Sequence, residues 1–250
     1  MLQLRLKGRQ KQGECSAILT LSFMVLVLGV LSLNMLPAVY LSFKTKVIPL
    51  DYDEVASVVV SVAVLTAIYM FYWGLSLGID RFMLKRAENI TTGAGDMFYY
   101  LSPKRVFGAT WFMLRLTLCK LSILAVLLVP AIVCGYIFSS ISSAGCSAAV
   151  CCGFGAFTII FVLSALKSYR EICDSFFLVR YRYIKGEALS FGNMLSQSQC
   201  DMALVRQSLK SLRRSFAGWF ALCVLIFPIP YVWSYYRQTK ACFAIECNHL

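Results

Sequence analysis

The stretch LSILAVLLVPAIVCGYIFSSISSAGCSAAVCCGFGAFTIIFVLSAL, Leu121–Leu166, contains no Asp, Glu, Lys, Arg or His. A helix crosses the hydrocarbon core of a bilayer with about 20 mostly apolar residues, so this run is long enough to cross twice. Ala17–Phe43, Val55–Ile79 and Ser215–Tyr236 are equally free of charge. Working outward from these runs, the chain reads as an all-α, polytopic transmembrane helical bundle of about five spans with an amphipathic inner helix. The spans fall at about 17–42, 55–79, 117–138, 146–166 and 215–236, within a single integral membrane domain covering 1–250. Residues 80–116 and 167–214 read as the cytoplasmic loops.

Composition agrees. The 250 residues are 59% hydrophobic with a mean hydropathy of +0.72, whereas apolar residues make up roughly half of a soluble domain. The 24 Lys and Arg against 12 Asp and Glu flank the apolar runs, a placement that sets orientation and meets anionic headgroups rather than nucleic acid. Residues 1–15 hold four of these cations, 80–120 seven and 167–214 nine, against two each in 44–54 and 237–250. Positive-inside bias then predicts a cytoplasmic N-terminus and an external C-terminus. The 17–43 run exceeds the 7–15 apolar residues of a signal-peptide core and reads as a retained span.

The eleven cysteines do not read as a disulfide framework. Cys119, Cys134, Cys151, Cys152 and Cys223 lie within the expected spans, where a thiol acts as a small apolar group. Cys242, Cys247 and His249 lack a fourth ligand and regular spacing, so no metal site and no cofactor are expected. No span carries Asp, Glu or His, and no HExxH, GxSxG or GxxxxGK[ST] motif occurs, which disfavours proton relays, intramembrane proteolysis and nucleotide chemistry. The chain reads as no enzyme.

Local signals place several elements. Ser102-Pro103 opens a helix, with Ser at the N-cap and Pro at the first helical position, and one pattern runs from there to about Ser139 with Pro130 inside it. Ser139–Gly145 reads as a tight turn before the fourth span. Small residues at helical spacing, Gly74-xxx-Gly78 and Gly145-xxx-Ala149-xxx-Gly153, offer faces for close helix packing, although Gly and Ala are common in membrane helices in any case.

Two sets of cations are candidates for contact. Met202, Val205, Leu209, Leu212 and Phe216 recur at spacings of three and four, with Arg206, Lys210, Arg213 and Arg214 on the neighbouring face. Such a helix lies among headgroups with its apolar face down and binds anionic lipid or a protein partner; the plainer reading is an anchor that orients the fifth span. Arg115 and Lys120 interrupt an apolar run, and Arg115 shares one helical stripe with Lys104, Gly108 and Cys119. They snorkel to the inner interface, or they face a cavity in a transporter or exporter subunit.

Short segments resemble a bacterial multi-span family grouped as domain of unknown function 975. Gly78-Ile79-Asp80-Arg81-Phe82 is similar to its Gly-x-x-Arg-Phe element, and Met97-Phe98-Tyr99-Tyr100-Leu101 to its Leu-Phe-x-x-Phe segment. Ser215-Phe216-Ala217-Gly218-Trp219, with Tyr231 and Tyr235, resembles its closing Ser-Phe-x-Gly-Trp span. The likeness covers about residues 74–243, without the Met-x-Gly and acidic-Pro elements of that family. It implies a bacterial plasma membrane and no catalytic residues. The expected function is a non-enzymatic membrane protein with a basic cytoplasmic surface; the alternative is a membrane subunit of a transporter.

Overall fold

The computed structural model describes residues 3, 6–9, 24, 27, 52–143, 148–187, 189–222 and 229–247. Among these the elements are α1 (Tyr52–Ala87), α2 (Ala94–Met97), a 3-10 turn (Tyr99–Leu101), α3 (Pro103–Ser143), α4 (Ala148–Cys173), α5 (Phe176–Lys185), α6 (Phe191–Ser215), α7 (Ala217–Leu222) and α8 (Ile229–Cys247), with no strand. Three stretches, Val62–Ala87, Pro103–Ser140 and Cys152–Lys185, are long and apolar enough to cross a membrane. The expected span at 17–42 lies almost wholly outside the described residues, as does Gly145.

Helix ends follow local chemistry. α1 closes on Asn89 at φ 61°, with the amides of Asn89 and Ile90 donating back to the carbonyls of Arg86 and Lys85 at 3.1 and 3.0 Å. This double closure needs a left-handed residue, and Asn tolerates that conformation. α5 ends the same way on Gly186 at φ 77°. α3 begins at Pro103, as expected. The Ser102 hydroxyl, however, donates backwards to the Tyr99 carbonyl at 3.2 Å rather than capping a following amide.

The 41 residues of α3 span about 60 Å, twice the thickness of a bilayer core. Ser139–Ser143, expected in a turn, are helical instead; the rest of that expected turn lies outside the described residues. Ser140 and Ser143 return their hydroxyls to the carbonyls of Tyr136 and Ser140, which satisfies them inside the helix.

The chain forms two compact units. One comprises Phe112–Val179 and Ala188–Ala203. Within it α3 and α4 run antiparallel. A Cβ on Gly135 would lie 3.8 Å from Thr158, and one on Gly155 would lie 3.6 Å from Phe138; three steps up one helix match three steps down the other. The packing glycines are therefore Gly135 and Gly155. A Cβ on Gly153 would meet nothing within 4 Å. Val126, Ile132 and Tyr136 on α3, and Phe157, Ile159 and Leu163 on α4, are all more than half exposed. Apolar surface of that extent is unfavourable in water and costs nothing in hydrocarbon.

The other unit comprises Met1–Trp111, Arg180–Glu187 and Leu204–Leu250. Here α1 changes surroundings along its length. Val59, Val60, Val62 and Val64 are exposed, whereas Leu75, Leu77, Ile79, Met83 and Leu84 are at most 3% exposed. That burial covers every face of the helix over Gly74–Asp80. α2 and the 3-10 turn lie against α1 because Gly74 and Gly78 carry no side chain. A Cβ on Gly74 would reach to 2.6 Å from Leu101 Cδ2, and one on Gly78 would overlap the Met97 carbonyl.

Residues 215–236 are not one continuous span. Phe216 and Tyr235 would be about 28 Å apart along a single helix, yet their rings are 4.8 Å apart. Trp219 meets Tyr231 at 6.2 Å, and Phe220 meets Tyr236 at 5.2 Å. α7 and α8 thus lie antiparallel as a hairpin locked by aromatic rings. The expectation that residues 237–250 lie across the membrane from Asp80 fails with it. Arg237 bonds Asp80 directly, and Lys7 pairs with Glu246 at 3.3 Å. Lys7, the charged end of α1 and α8 therefore lie together within this unit.

Gly78→Ala is expected to destabilise the purified protein by about 1–3 kcal/mol, since the new Cβ meets backbone rather than a yielding side chain. Gly153→Ala should instead be neutral or gain up to about 1 kcal/mol from helix propensity. Thermal unfolding in detergent compares the two, and equal effects would remove the packing role of Gly78.

Candidate functional site

Ser76 and Asp80 stand four residues apart on one face of α1, within its fully buried half. The neighbours of Asp80 at helical spacing, Ser76, Met83 and Leu84, are uncharged, so its counter-ions come from other elements. Arg180 of α5 donates through Nη2 to Asp80 Oδ2 at 2.6 Å and to the Ser76 hydroxyl at 2.9 Å. Arg237 of α8 donates through Nε to Asp80 Oδ1 at 3.1 Å and through Nη2 to the same oxygen and to the Ser76 carbonyl. A buried carboxylate is tolerated only when paired and hydrogen-bonded in this way. Beside it, the buried Gln238 donates to the Met83 carbonyl at 3.1 Å.

Further cations crowd this centre. The Arg237 guanidinium lies 4.5 Å from the Trp233 ring centre, and Lys240 lies 5.5 Å from that of Tyr236. Burial, together with the positive charges of Arg213, Arg180 and Arg237, drives the Lys240 amine down to about 7 against the opposing pull of Asp80. One carboxylate is thus held by two guanidiniums, beside an amine that gives up its proton readily.

A second charged group braces α2. Lys85 donates to Asp96 Oδ1 at 2.6 Å, and Arg81 approaches the same oxygen at 3.6 Å. Burial by itself would raise the Asp96 carboxyl, but the bonds from Lys85 and the Gly93 amide and the charges of Lys85 and Arg81 hold it below its usual range. The Tyr99 ring is sandwiched between the guanidiniums of Arg81 and Arg105, at 3.5 and 3.8 Å. Tyr100 stacks on Tyr183 at 6.0 Å. Its burial pushes the phenol up to about 12 despite the nearby Arg81, so it stays neutral.

The residues singled out in sequence are distributed differently. Met202, Val205, Leu209, Leu212 and Phe216 are at most 9% exposed, so the apolar face of α6 is occupied by protein and does not lie among headgroups. On the polar face Lys210 and Arg214 are exposed, while Arg206 and Arg213 are half-buried. Lys104 and Arg115 are also exposed. Lys120 is half-buried, 5.4 Å from the Phe176 ring centre. Among the described residues no three His, Cys, Asp or Glu side chains gather as a metal site. The Asp80, Arg180, Arg237 and Lys240 centre escaped sequence reading. Its available signal was a lone acid at the end of an apolar helix with no cation at i±3 or i±4.

Asp80→Asn is expected to cost about 3 kcal/mol, because two half-buried guanidiniums lose their counter-charge, whereas Ser76→Ala should cost about 1 kcal/mol. Denaturation of the two variants in detergent tests this, and equal losses would reject the central role of Asp80. Lys240 gives a pH signature. Unfolded, it holds its proton up to its ordinary 10.5; folded, only up to about 7. The unfolded state therefore carries the extra proton between those values, and stability should rise with pH across that window. Lys240→Met should flatten the rise in a pH series of melting curves. Comparison of the chain with protein-family models, curated proteins and solved structures gives no match.

Proposed function

We propose that this chain is a non-enzymatic, multi-pass protein of a bacterial cytoplasmic membrane whose basic inner face holds anionic lipid headgroups. The three long apolar helical stretches and the +12 net charge support the membrane setting. The resemblance to the domain of unknown function 975 family supports the bacterial one. The N-terminus is cytoplasmic, and α8's end lies with it. With Arg237 and Lys240 on that side, the segments flanking the apolar runs carry nearly all their cations in the cytoplasm, which strengthens the positive-inside pattern.

The observation that carries this reading is the division of α6. Its apolar stripe is buried in protein while Lys210 and Arg214, one turn apart, face outward. Lipid contact by this helix is then electrostatic rather than insertive. Each cation near an anionic surface contributes about 1 kcal/mol, and salt screens the contribution.

The full-length protein is expected to melt at higher temperature in micelles doped with phosphatidylglycerol than in micelles doped with phosphatidylcholine. Roughly 0.5 M salt should erase most of the difference. A Lys210→Gln, Arg214→Gln double variant should lose about 2 kcal/mol of the gain. Equal melting in both lipids would overturn the proposal.

A further inference from the structure

We infer that the first turns of α3 are a membrane-interface anchor, with the rings of Phe107 and Trp111 in the interfacial layer of the cytoplasmic leaflet. The inference rests on the membrane setting proposed above and is independent of the anionic-lipid contact of α6.

The burial pattern carries it. Ala109, Phe112, Met113 and Leu116 are at most 6% exposed, so one face of this stretch is packed in protein. At 100° per residue the opposite face carries Phe107, Trp111 and Leu118. A helix with protein on one side and water on the other places polar residues outward. Here the outward face holds a phenyl ring at 71% exposure and an indole at 55%. Two exposed cations border the pair, Lys104 one turn before Phe107 and Arg115 one turn after Trp111. Rings flanked by cations fit the boundary between hydrocarbon and headgroups, where the rings are sheltered and the charges meet lipid phosphates.

The stripe continues along α3 and identifies its cover. Leu118, Leu121 and Ile132 lie on the same face, all more than half exposed, within a stretch long and apolar enough to cross a membrane. The exposed Tyr136 closes the stripe. From Phe107 to Tyr136 the helix axis measures about 44 Å. A bilayer with its polar layers is about 40–45 Å thick, around a hydrocarbon core of about 30 Å. Phe107 and Tyr136 therefore fall in opposite polar layers, and Trp111 falls where the inner layer meets the core. Trp and Tyr are enriched at these levels because each joins an apolar ring to a polar edge. Helical side chains lean toward the N-terminus, so Arg115 reaches back from the rim of the core to the same layer.

The test uses the full-length protein reconstituted in phosphatidylcholine vesicles. Tryptophan fluorescence of the wild type is compared with that of Trp111→Phe, and the difference is the signal of Trp111. Three quenchers are applied: lipids brominated near the headgroup end of the acyl chain, lipids brominated near its methyl end, and iodide in the water. The shallow bromines are expected to quench Trp111 about twofold more than the deep ones, and iodide to quench it far less than free indole. Roughly 0.5 M salt should leave this pattern unchanged, unlike the contact made by α6. Stronger quenching by the deep bromines overturns the anchor, as does quenching chiefly by iodide. A Trp111 that no quencher reaches is covered by protein, a second copy included, and overturns it too. Val126→Trp, made in the Trp111→Phe background, puts an indole in the middle of the apolar run and should answer the deep bromines most. If iodide quenches that indole instead, the membrane setting fails and the anchor with it. If it answers the deep bromines while Trp111 answers iodide, the anchor alone is rejected. Should Trp111→Phe fail to fold, Trp111→Tyr, which keeps a ring with a polar edge, takes its place.

Discussion

The Asp80 carboxylate joins three parts of the chain that are remote in sequence. Arg180 reaches the Ser76–Asp80 face across 104 residues, and Arg237 reaches it across 157. Because the carboxylate sits inside a fully buried stretch of α1, neither arginine can leave without stranding charge in a medium that solvates it poorly. The position of α8 follows from this centre: once Arg237 is held, Gln238 falls on the Met83 carbonyl, Thr239 lies over Gly8, and Glu246 comes within reach of Lys7. Of these, the Lys7 pair is exposed and adds little stability. It marks where the last turn of α8 lies.

Two solvents act on this polypeptide. Much of α3 and α4 presents Val, Ile, Phe and Tyr outward, in keeping with lipid, where helices pack through small residues such as Gly135 and Gly155. The end of α1 and the second half of α6 are built differently. Apart from the exposed Leu204, their large apolar side chains point into protein, and their charges meet one another or the surface, as in a soluble core. α1 passes from one regime to the other along its own axis, from the exposed valines at 59–64 to the buried leucines at 75–84. Gly78 lies in the buried part, where Met97 needs the space of a missing side chain.

Sequence reasoning succeeded where a signal is local. Pro103 suits the first helical position, where its missing amide forfeits no helical bond, and α3 begins at it. Charge-free runs mark apolar helices, because a charge in hydrocarbon is costly wherever the chain folds. It failed where the same pattern admits two partners. The stripe of Met202, Val205, Leu209, Leu212 and Phe216 fits a lipid surface and a protein core equally well, since both reward apolar burial. The run 215–236 fits one crossing by length alone. Nothing in its composition shows that Phe216 and Tyr235 stack across a hairpin.

The helical class, the apolar character of the long helices and the excess of cations are legible in the sequence, because these depend on each residue's own transfer energy and on its near neighbours. Which cations hold Asp80 and which glycines are packed against emerge only in the folded chain. Those outcomes come from contacts between distant segments. Such contacts form where several buried donors and one acceptor meet, a condition that no single stretch of the chain encodes.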